Sequence, residues 1–584
     1  MADEKSTIEF TDPDVLVIMR EEKGMLESRE RKHDDWTENY TLSRDKVITN
    51  RLTQRQTVNI PLLRYVINTM LKELMDPPQL YFNNLSNDQQ KEVYYNEYWK
   101  ETFRLNGLVI KDYVDKKQNA LFGRSFKKLN IENGKMKISL VDPQCMLVHR
   151  FVDSTDIDSA PALSETDIYV TLDDILENED YLEEGKLLVK MYFTDEAGKL
   201  ESDENFEKAA EKTDRLKNIG DDTVEDPMLG QTYVELHEVY RYEWSDDKEQ
   251  KVVMRYVLAV TKAGTFKLHK AELCDIIGNT VDNFWYGHFP YTSWGSDPEA
   301  TDFWSDGVAD VIRQINKVLN VWFSQLVENR TLQNFSMKYY DSTNPKFVPQ
   351  TFSPQPFGHY PVPGDPNKII KDMTTGNLSG TLEEMTFLIS IAEKATAATA
   401  ANTGSVEQRK VTLGEVEFAL ANAKERMKVQ QVFYTEDWKD LGLKYIKFLE
   451  AAGDLLDPLT VNKKGRMGRK IYKKEIKRTD YEDEEGYMVE VKTMNEVQEE
   501  QIDAIEKLNI LKIEMPDNVP LREIYREKIM DLNKLTPEEK SRIEEFEKQK
   551  TQEPAVPISD MVSATAPGGG QTTTLPEVPD IVGR

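Results

Sequence analysis

The stretch of residues 302–330, DFWSDGVADVIRQINKVLNVWFSQLVENR, decides how the rest of this chain folds. Its apolar side chains recur at helical spacing, which predicts an amphipathic helix; they are Val308, Val311, Ile312, Ile315, Val318, Leu319, Trp322, Phe323 and Leu326. At 1.5 Å per residue the helix would be roughly 40 Å long. Its other side carries Asn316, Asn320, Ser324 and Asn329, flanked by Gln314 and Gln325, and is almost uncharged. A helix exposed only to water normally carries more charge on that side.

The composition indicates a large, acidic, folded protein. The 584 residues are enough for about three or four domain-sized units. The 104 Asp and Glu against 75 Lys and Arg give a net charge of −29. This charge argues against a protein that coats nucleic acid through overall attraction to phosphates, although it leaves local contacts open. Cys145 and Cys274 are too few for a disulfide framework and are expected to be structural thiols.

The sequence shows no sign of a membrane or secretory segment. No stretch approaches the roughly 20 apolar residues of a membrane span. The first residues, MADEKSTIEF, contain neither a basic region nor an apolar one of the kind found in signal peptides. We therefore expect no membrane partner and assembly in the cytoplasm of a cell.

Residues 59–301 predict a mixture of helices and strands. Asn59 and Pro61 mark the start of a helix, and a second helical stretch covers about 88–118. The dipeptide Asn133-Gly134 predicts the turn of a β-hairpin. Residues 232–273 are rich in β-branched and aromatic residues and predict further strands. The acidic segment 154–228 contains one strand-like piece, KLLVKMYFTD. The fold class predicted for this part is α+β.

A proline-rich excursion follows the opening helix. Seven prolines fall between positions 345 and 366, which excludes a helix or a central strand. Phe347, Phe352 and Phe357 recur among them. This pattern predicts short extended pieces that pack against another surface, such as that of a neighbouring copy.

Two capping boxes mark the helices that come next. TLEE at 381–384 opens one helix, and TLGE at 412–415 opens a pattern near 40 residues long. The second helix would be about 60 Å long. NTGSVEQRK forms a short polar connection between them. The last 34 residues are rich in Pro, Gly and Thr and are expected to be disordered.

Motifs for catalysis are not evident. The sequence has no phosphate-binding loop of the P-loop kind, and its six histidines lie far apart. HEVYR at 237–241 lacks the second His of a zinc-protease helix. We therefore expect no enzymatic activity, no metal and no cofactor. The basic run 463–478 is open to two interpretations, a patch that faces phosphates or, as we favour, a solvated pair of strands.

The order of these elements resembles the portal (head–tail connector) proteins of tailed bacteriophages, in particular those of short-tailed phages. The resemblance rests on Phe303-Trp304, on GVADVIRQINKVLN at 307–320 and on RKVTLGEVEFALANAKERM at 409–427. It covers about residues 60–550. The acidic segment 154–228 and the C-terminal tail depart from the family pattern.

The resemblance implies a ring, typically a dodecamer, at one vertex of the capsid, through which double-stranded DNA is packaged and ejected. The parts of such a subunit would be an α+β wing at 1–301, stem helices at 302–335 and 381–401, a Pro-rich clip at 336–380, a tunnel loop at 402–411, a long wing helix at 412–455, a C-terminal wing or crown at 456–550 and a disordered tail at 551–584.

The same resemblance assigns candidate site residues. Gln408, Arg409 and Lys410 of the tunnel loop would meet DNA in the channel. Asn316, Asn320, Trp322 and Phe323 would pack subunits in the stem, where amides allow close approach without the high cost of a buried unpaired charge. Lys346, Phe347, Phe352 and Phe357 of the clip would dock partners.

The expected partners are further copies of the chain, double-stranded DNA, the terminase large subunit, the major capsid or scaffolding protein and tail adaptor proteins. The expected location is the capsid vertex of a virion. One alternative is a minor capsid or head–tail adaptor protein without a DNA channel. Another is a DNA-processing enzyme such as a terminase or nuclease, which needs a nucleotide-binding loop or a metal-binding cluster.

Overall fold

A computed structural model describes residues 12–44, 48–49, 56–57, 59–73, 77–86, 88–132, 134–194, 196–221, 224–278, 280, 282–298, 302–334, 338–340, 365, 370–372, 380–396, 413–453, 455–464, 471–483 and 485–492. The chain divides into two compact units, residues 1–461 with 474–497 and residues 462–473 with 498–584. Of the second unit, only 462–464 and 471–473 are described. Apart from residues 462–464 of β14 and 471–473 of β15, the elements described below belong to the first unit.

The described helices alternate with strands in the first half of the chain and dominate after residue 300. In chain order they are α1 Pro13–Leu42, α2 Leu62–Glu73, α3 Gln89–Leu105, α4 Leu108–Phe122, α5 Leu172–Glu177, α6 Glu183–Thr194, α7 Glu196–Ile219, α8 Leu273–Ile277, α9 Val308–Asn334, α10 Thr381–Thr396, α11 Leu413–Ala452 and α12 Arg478–Tyr481. None of them has the length and apolar character that crossing a membrane requires.

The described strands form several small sheets and one larger one. They are β1 Ile48–Thr49, β2 Gln56–Thr57, β3 Gln79–Asn84, β4 Arg124–Glu132, β5 Lys135–Val141, β6 Met146–Val148, β7 Ala162–Thr171, β8 Tyr233–Ser245, β9 Gln250–Thr261, β10 Gly264–Glu272, β11 Tyr291–Gly295, β12 Lys338–Tyr340, β13 Ile370–Asp372, β14 Leu459–Lys464, β15 Ile471–Ile476 and β16 Tyr487–Lys492. The mixture of helices and antiparallel strands confirms the α+β class.

The largest sheet has five strands in the order β10-β9-β8-β7-β6, all antiparallel. Because side chains alternate across a strand, each face of this sheet has its own apolar set. Val15 and Ile18 of α1 pack on one face with Tyr256 and Leu258. Helices α5 and α6 cover the other face, where buried residues from both helices and from three strands meet: Ile175, Val189, Phe193, Val234, Leu236, Val257, Ala259 and Leu268.

A second sheet has three strands in the order β11-β4-β5. Its strands pack on α4, and β11 packs on α11. The segment that leads into α9 closes this core, because Trp304 contacts Trp36 of α1 with ring centroids 5.1 Å apart. Gly123 ends α4 at φ +80°, and a Cβ there would lie 1.9 Å from the Ser305 carbonyl oxygen. Only glycine fits this close approach.

Several local predictions are confirmed. The strands of the hairpin on either side of Asn133-Gly134 are β4 and β5, which pair from Phe126 with Val141 to Glu132 with Lys135. The three helices expected after residue 302 are α9, α10 and α11. Strands β14 and β15 overlap the basic run 463–478 and form a two-stranded sheet; whether the run is solvated or faces phosphates stays open.

Two local predictions are wrong. The described part of KLLVKMYFTD, residues 186–194, lies in helix α6 rather than in a strand, because Lys186, Val189 and Phe193 are buried on one side at helical spacing. The helical stretch at 88–118 is two helices, α3 and α4. The break occurs at Asn106, whose side-chain amide donates to the Met136 carbonyl at 3.0 Å, and Gly107 follows with φ +59°.

Candidate subunit-packing site

Helix α9 is the centre of the candidate site and packs against α10. It also packs against α1, α2 and α4 of its own chain. With 27 residues, α9 is about 40 Å long. Its surroundings therefore determine which of its sides remains available to another molecule.

The asparagines of α9 lie inside the chain, which corrects the prediction that Asn316 and Asn320 pack against a neighbouring copy. Asn320 Oδ1 accepts a hydrogen bond from the Ile60 N–H at 2.8 Å, and Asn320 Nδ2 donates to Asn59 Oδ1 at 2.9 Å. Asn316 is fully buried. Asn320 faces the segment before α2, because that segment offers backbone and side-chain groups that need partners. The Asn316 amide makes no hydrogen bond within the described residues.

Because Asn316 and Asn320 belong to the buried side of α9, a different row of its side chains is exposed. This row, which we call the α9 seam, consists of Val311, Gln314, Val318, Val321 and Gln325, and all five side chains are exposed. Their spacing of three and four residues is that of a coiled-coil contact row. Val311 and Val321 are 53% and 51% exposed. The seam is uncharged on a chain whose net charge is −29.

Trp322 and Phe323 lie beside the seam and are half-buried against the main core. Each therefore has part of its ring within the chain and part exposed. Their assignment to subunit packing stays a prediction. Helix α10 adds apolar side chains of its own, because Phe387 is 65% exposed and Ile391, one turn further, is 37% exposed.

The charged residues at the start of α9 are bound within the chain. Arg313 forms ion pairs with Asp35 of α1 at 2.9 Å and with Asp310 at 2.8 Å, and Lys317 pairs with Glu38 of α1 at 2.5 Å. These contacts fix the rotation of α9 about its axis. The α9 seam is therefore held in one orientation.

The long helix α11 is anchored in the α+β part by buried ion pairs. Lys127 of β4 contacts Asp115 of α4 at 2.8 Å and also Asp437 of α11, and all three side chains are almost fully buried. Trp294 Nε1 donates to the same Asp115 carboxylate at 3.0 Å. Burial alone lowers the pKa of Lys127, but the charges of Asp115 and Asp437 outweigh it and raise that pKa above its usual value.

A second buried cation holds α11 one to two turns further on. Lys444 lies 2.8 Å from Asp158 and 3.1 Å from Asp440, and its ammonium donates to the Tyr291 carbonyl at 2.6 Å. Burial raises the pKa of Asp440 to about 6, although Lys444 opposes this shift. The C-terminal half of α11 is thus fixed to β11 and to the loop around Asp158.

Sequence reasoning missed the contacts of a partly buried histidine on β8. His237 Nδ1 lies 3.1 Å from both carboxylate oxygens of Glu22 on α1, and its Nε2 lies 3.4 Å from Glu235. Burial lowers the pKa of His237, but the hydrogen bonds to Glu22 and Glu235 outweigh burial and raise it to about 9. The pairing joins residues 215 positions apart, so no local pattern could reveal it.

Glu272, Cys274 and Asp275 bring three potential metal ligands together at the start of α8. Lys248 pairs with Glu272, and its Nζ lies 3.0 Å from Cys274 Sγ and 3.6 Å from Asp275. An ammonium group therefore stands where a bound cation would have to be. The expectation that the chain holds no metal stays a prediction.

The remaining site predictions lie outside the described residues. They are Gln408, Arg409 and Lys410 of the expected tunnel loop, and Lys346, Phe347, Phe352 and Phe357 of the expected clip. Comparison of the chain with protein-family models and with curated proteins returned no match.

Proposed function

We propose that this chain is a portal subunit, which assembles into a ring at one vertex of a phage capsid and forms the channel for double-stranded DNA. The observation that carries the proposal is the α9 seam, an exposed, uncharged row with coiled-coil spacing on a helix about 40 Å long. Exposed apolar rows of this kind mark contacts with other molecules. Copies of the same chain, arranged around an axis, would cover it.

The packing of the neighbouring elements supports the same proposal. The seam is fixed in orientation by the ion pairs of Arg313 and Lys317, as repeated contacts in a ring require. Phe387 and Ile391 of α10 offer apolar side chains on the second helix of the pair. The α9 seam of one copy would contact Phe387 and Ile391 of the next copy, which is the head-to-tail contact from which closed rings form.

The rest of the proposed function follows from the resemblance. Terminase and tail adaptors would dock at the segment 336–380, capsid or scaffolding protein would hold the ring, and residues 402–411 would line the channel. The proposed location is therefore the virion vertex. The chain would act without a cofactor or a catalytic site.

Imaging of the purified protein by negative stain, together with mass measurement, tests the proposal. A closed ring with a central hole is the expected result. Val318→Asp with Val321→Asp places charge in the α9 seam and should leave monomers or open fragments. Leu229→Asp is the control, because Leu229 is 87% exposed in a turn between α7 and β8, and it should form rings normally.

Two outcomes would contradict the proposal. A monomer or small oligomer without a hole, from both purified protein and virions, would favour a minor capsid or adaptor protein. DNA-stimulated hydrolysis of ATP, or cleavage of the DNA backbone, by clean protein would favour a processing enzyme.

A further inference from the structure

The five-stranded sheet carries helices on both of its faces, and each of these helices has an outward side as well as a buried one. Helix α1 packs on one face through Val15 and Ile18, whereas α5 and α6 pack on the opposite face through Ile175, Val189 and Phe193. The side chains of successive strand residues alternate between the two faces, so the sheet lies between α1 and α6. The outward sides of α1 and α6 therefore point in roughly opposite directions.

The outward side of α1 combines apolar and positively charged side chains in the first three turns of the helix. Five exposed residues form this surface, which we call the α1 face: Leu16, Val17, Met19, Arg20 and Lys23. Acidic residues of the same turns are paired with the sheet instead, Asp14 with Lys270 at 2.8 Å and Glu21 with Arg241 at 3.5 Å. The charges that the α1 face presents are therefore positive.

The outward side of α6 combines apolar side chains with negative charge. Four exposed residues at spacings of three and four share this side of the helix, and we call them the α6 face: Glu183, Glu184, Leu187 and Met191. Glu183 pairs with Lys186 and is nevertheless 88% exposed. All seven acidic residues within 173–184 are exposed, whereas α6 itself exposes one cation, Lys190. The surface around the α6 face is therefore strongly acidic.

We propose that the α1 face of one copy binds the α6 face of the next copy, a contact that deepens the proposed ring and rests on it. Apolar side chains would then cover apolar side chains, and Arg20 and Lys23 would face Glu183 and Glu184. Chains with a net charge of −29 repel one another on average. This arrangement offsets that repulsion, because it places opposite charges together where the copies touch.

The charges also determine how the copies are oriented. Two α6 faces in contact would place acidic residues opposite acidic residues, and two α1 faces would oppose Arg20 and Lys23 to the same cations. Like charges opposed across an interface disfavour association, so the contact is head-to-tail rather than two-fold. Because the two faces point in roughly opposite directions, each added copy turns the row by a small angle only. A ring that closes through this contact therefore contains many copies.

Oxidative cross-linking of a variant with Met19→Cys and Leu187→Cys tests the contact directly. Each chain then carries one thiol on each face, so disulfides between successive copies should produce a ladder of covalent oligomers on a non-reducing gel. The two native thiols, Cys145 and Cys274, are buried. Either substitution alone should give no ladder. Met19→Cys with Leu443→Cys is the matched control, because Leu443 is an exposed residue of α11, and it should give no ladder either.

Charge reversal separates a specific contact from a loss of folding. Arg20→Glu with Lys23→Glu should weaken the association of copies roughly tenfold or more, because both faces are then acidic. Addition of Glu183→Lys and Glu184→Lys to the same chain should restore association. The control Arg31→Glu reverses an exposed charge further along α1 and should associate as the parent does. Sedimentation velocity measures each variant, and thermal unfolding checks that each is folded.

The outcomes distinguish the contact from the proposed function. If the double-cysteine variant gave no ladder, the contact would be wrong, and the proposed function would survive where the same protein forms closed rings. A ladder from particles without a central hole would support the contact and contradict the ring. If the second charge reversal did not restore association, the α1 and α6 faces would not meet.

Discussion

Asn320 on α9 and Asn59 before α2 are joined by a hydrogen bond of 2.9 Å between Nδ2 and Oδ1, across 261 positions of sequence. Asn59 in turn donates from Nδ2 to the carbonyls of Leu42 and Arg44 at 3.1 and 2.6 Å. The pair therefore connects α9 to the C-terminal end of α1 and to the residues just before α2. Sequence periodicity placed Asn320 on an outward side, and this contact places it inside.

Replacement of Asn320 by Ala should reduce the free energy of unfolding by about 1–3 kcal/mol, because the half-buried Ile60 N–H and the Asn59 amide lose their partner. Gln325→Ala, on the exposed seam of the same helix, is the control and should change stability by less than about 0.5 kcal/mol. Urea unfolding followed by circular dichroism measures both. If Asn320→Ala and Gln325→Ala changed the free energy of unfolding equally, the hydrogen bonds of the Asn320 amide would contribute nothing to stability.

Gly123→Ala should destabilise the chain by several kcal/mol, on the order of the largest single-residue effects. The added Cβ would meet the Ser305 carbonyl oxygen at 1.9 Å, and the backbone at φ +80° disfavours any other residue. Gly24→Ala in the middle of α1 is the matched control, because its Cβ would meet nothing within 4 Å. That change should stabilise by roughly 0.5–1 kcal/mol. Thermal unfolding in which Gly123→Ala is neutral would contradict the close approach.

Lys127→Met should destabilise by about 3–5 kcal/mol, because it leaves Asp115 and Asp437 buried without their cation. Addition of Asp115→Asn and Asp437→Asn should recover much of the loss, since the uncompensated charges are then gone. Lys439→Met serves as the control, because its ion pair with Glu436 is exposed and should contribute less than about 1 kcal/mol. Denaturant unfolding gives all three values, and a triple variant no better than the single one would contradict the charge explanation.

The stability of the chain should fall as the pH rises through the pKa of His237. That pKa is about 9 in the folded chain against about 6.5 in an unfolded one. Protonated His237 therefore contributes fully below pH 6.5, and up to roughly 3 kcal/mol is lost by the time the pH exceeds 9. Urea unfolding at pH 6.5 and pH 9.5 should differ less in His237→Gln than in the parent. An unchanged difference would mean that other groups cause it.

Replacement of Arg409 and Lys410 by Ala should leave ring formation intact while changing the retention or packaging of DNA. Both residues belong to the segment that would line the channel, and each copy would lose two positive charges toward the phosphates. Imaging of the variant and a DNA-retention assay on assembled particles give the two readouts. Loss of the ring itself would assign these residues a structural role.

Local sequence patterns predicted which helices and strands form better than they predicted what each element packs against. The hairpin at Asn133-Gly134, the strands near 232–272 and the helices α9 to α11 follow from turn residues, alternation, capping and periodicity. The KLLVKMYFTD segment was wrongly predicted as a strand because it contains consecutive residues that favour β-structure. Burial of Val189 and Phe193 against the sheet, a tertiary contact, selected the helix.

The candidate site was harder to predict than the fold. Helical periodicity placed Val311 and Val318 on the apolar side of the helix and Asn316 and Asn320 on its polar side, where they were expected to pack against a neighbouring copy. The structure buries both asparagines. For Asn320 the reason is that Asn59 and Ile60 require polar partners, which its inward-facing amide supplies; the burial of Asn316 has no such explanation. These hydrogen-bonding requirements come from residues more than 250 positions away in the sequence. No pattern within the helix itself therefore indicates them.

The uncharged character of the α9 seam has a consequence for handling the protein. Contacts between valines weaken on cooling, whereas contacts between ions loosen when salt screens them. An oligomer joined through Val311, Val318 and Val321 should therefore come apart in the cold and tighten in sulfate. Purification in the cold would therefore yield monomers even where samples at room temperature contain closed rings.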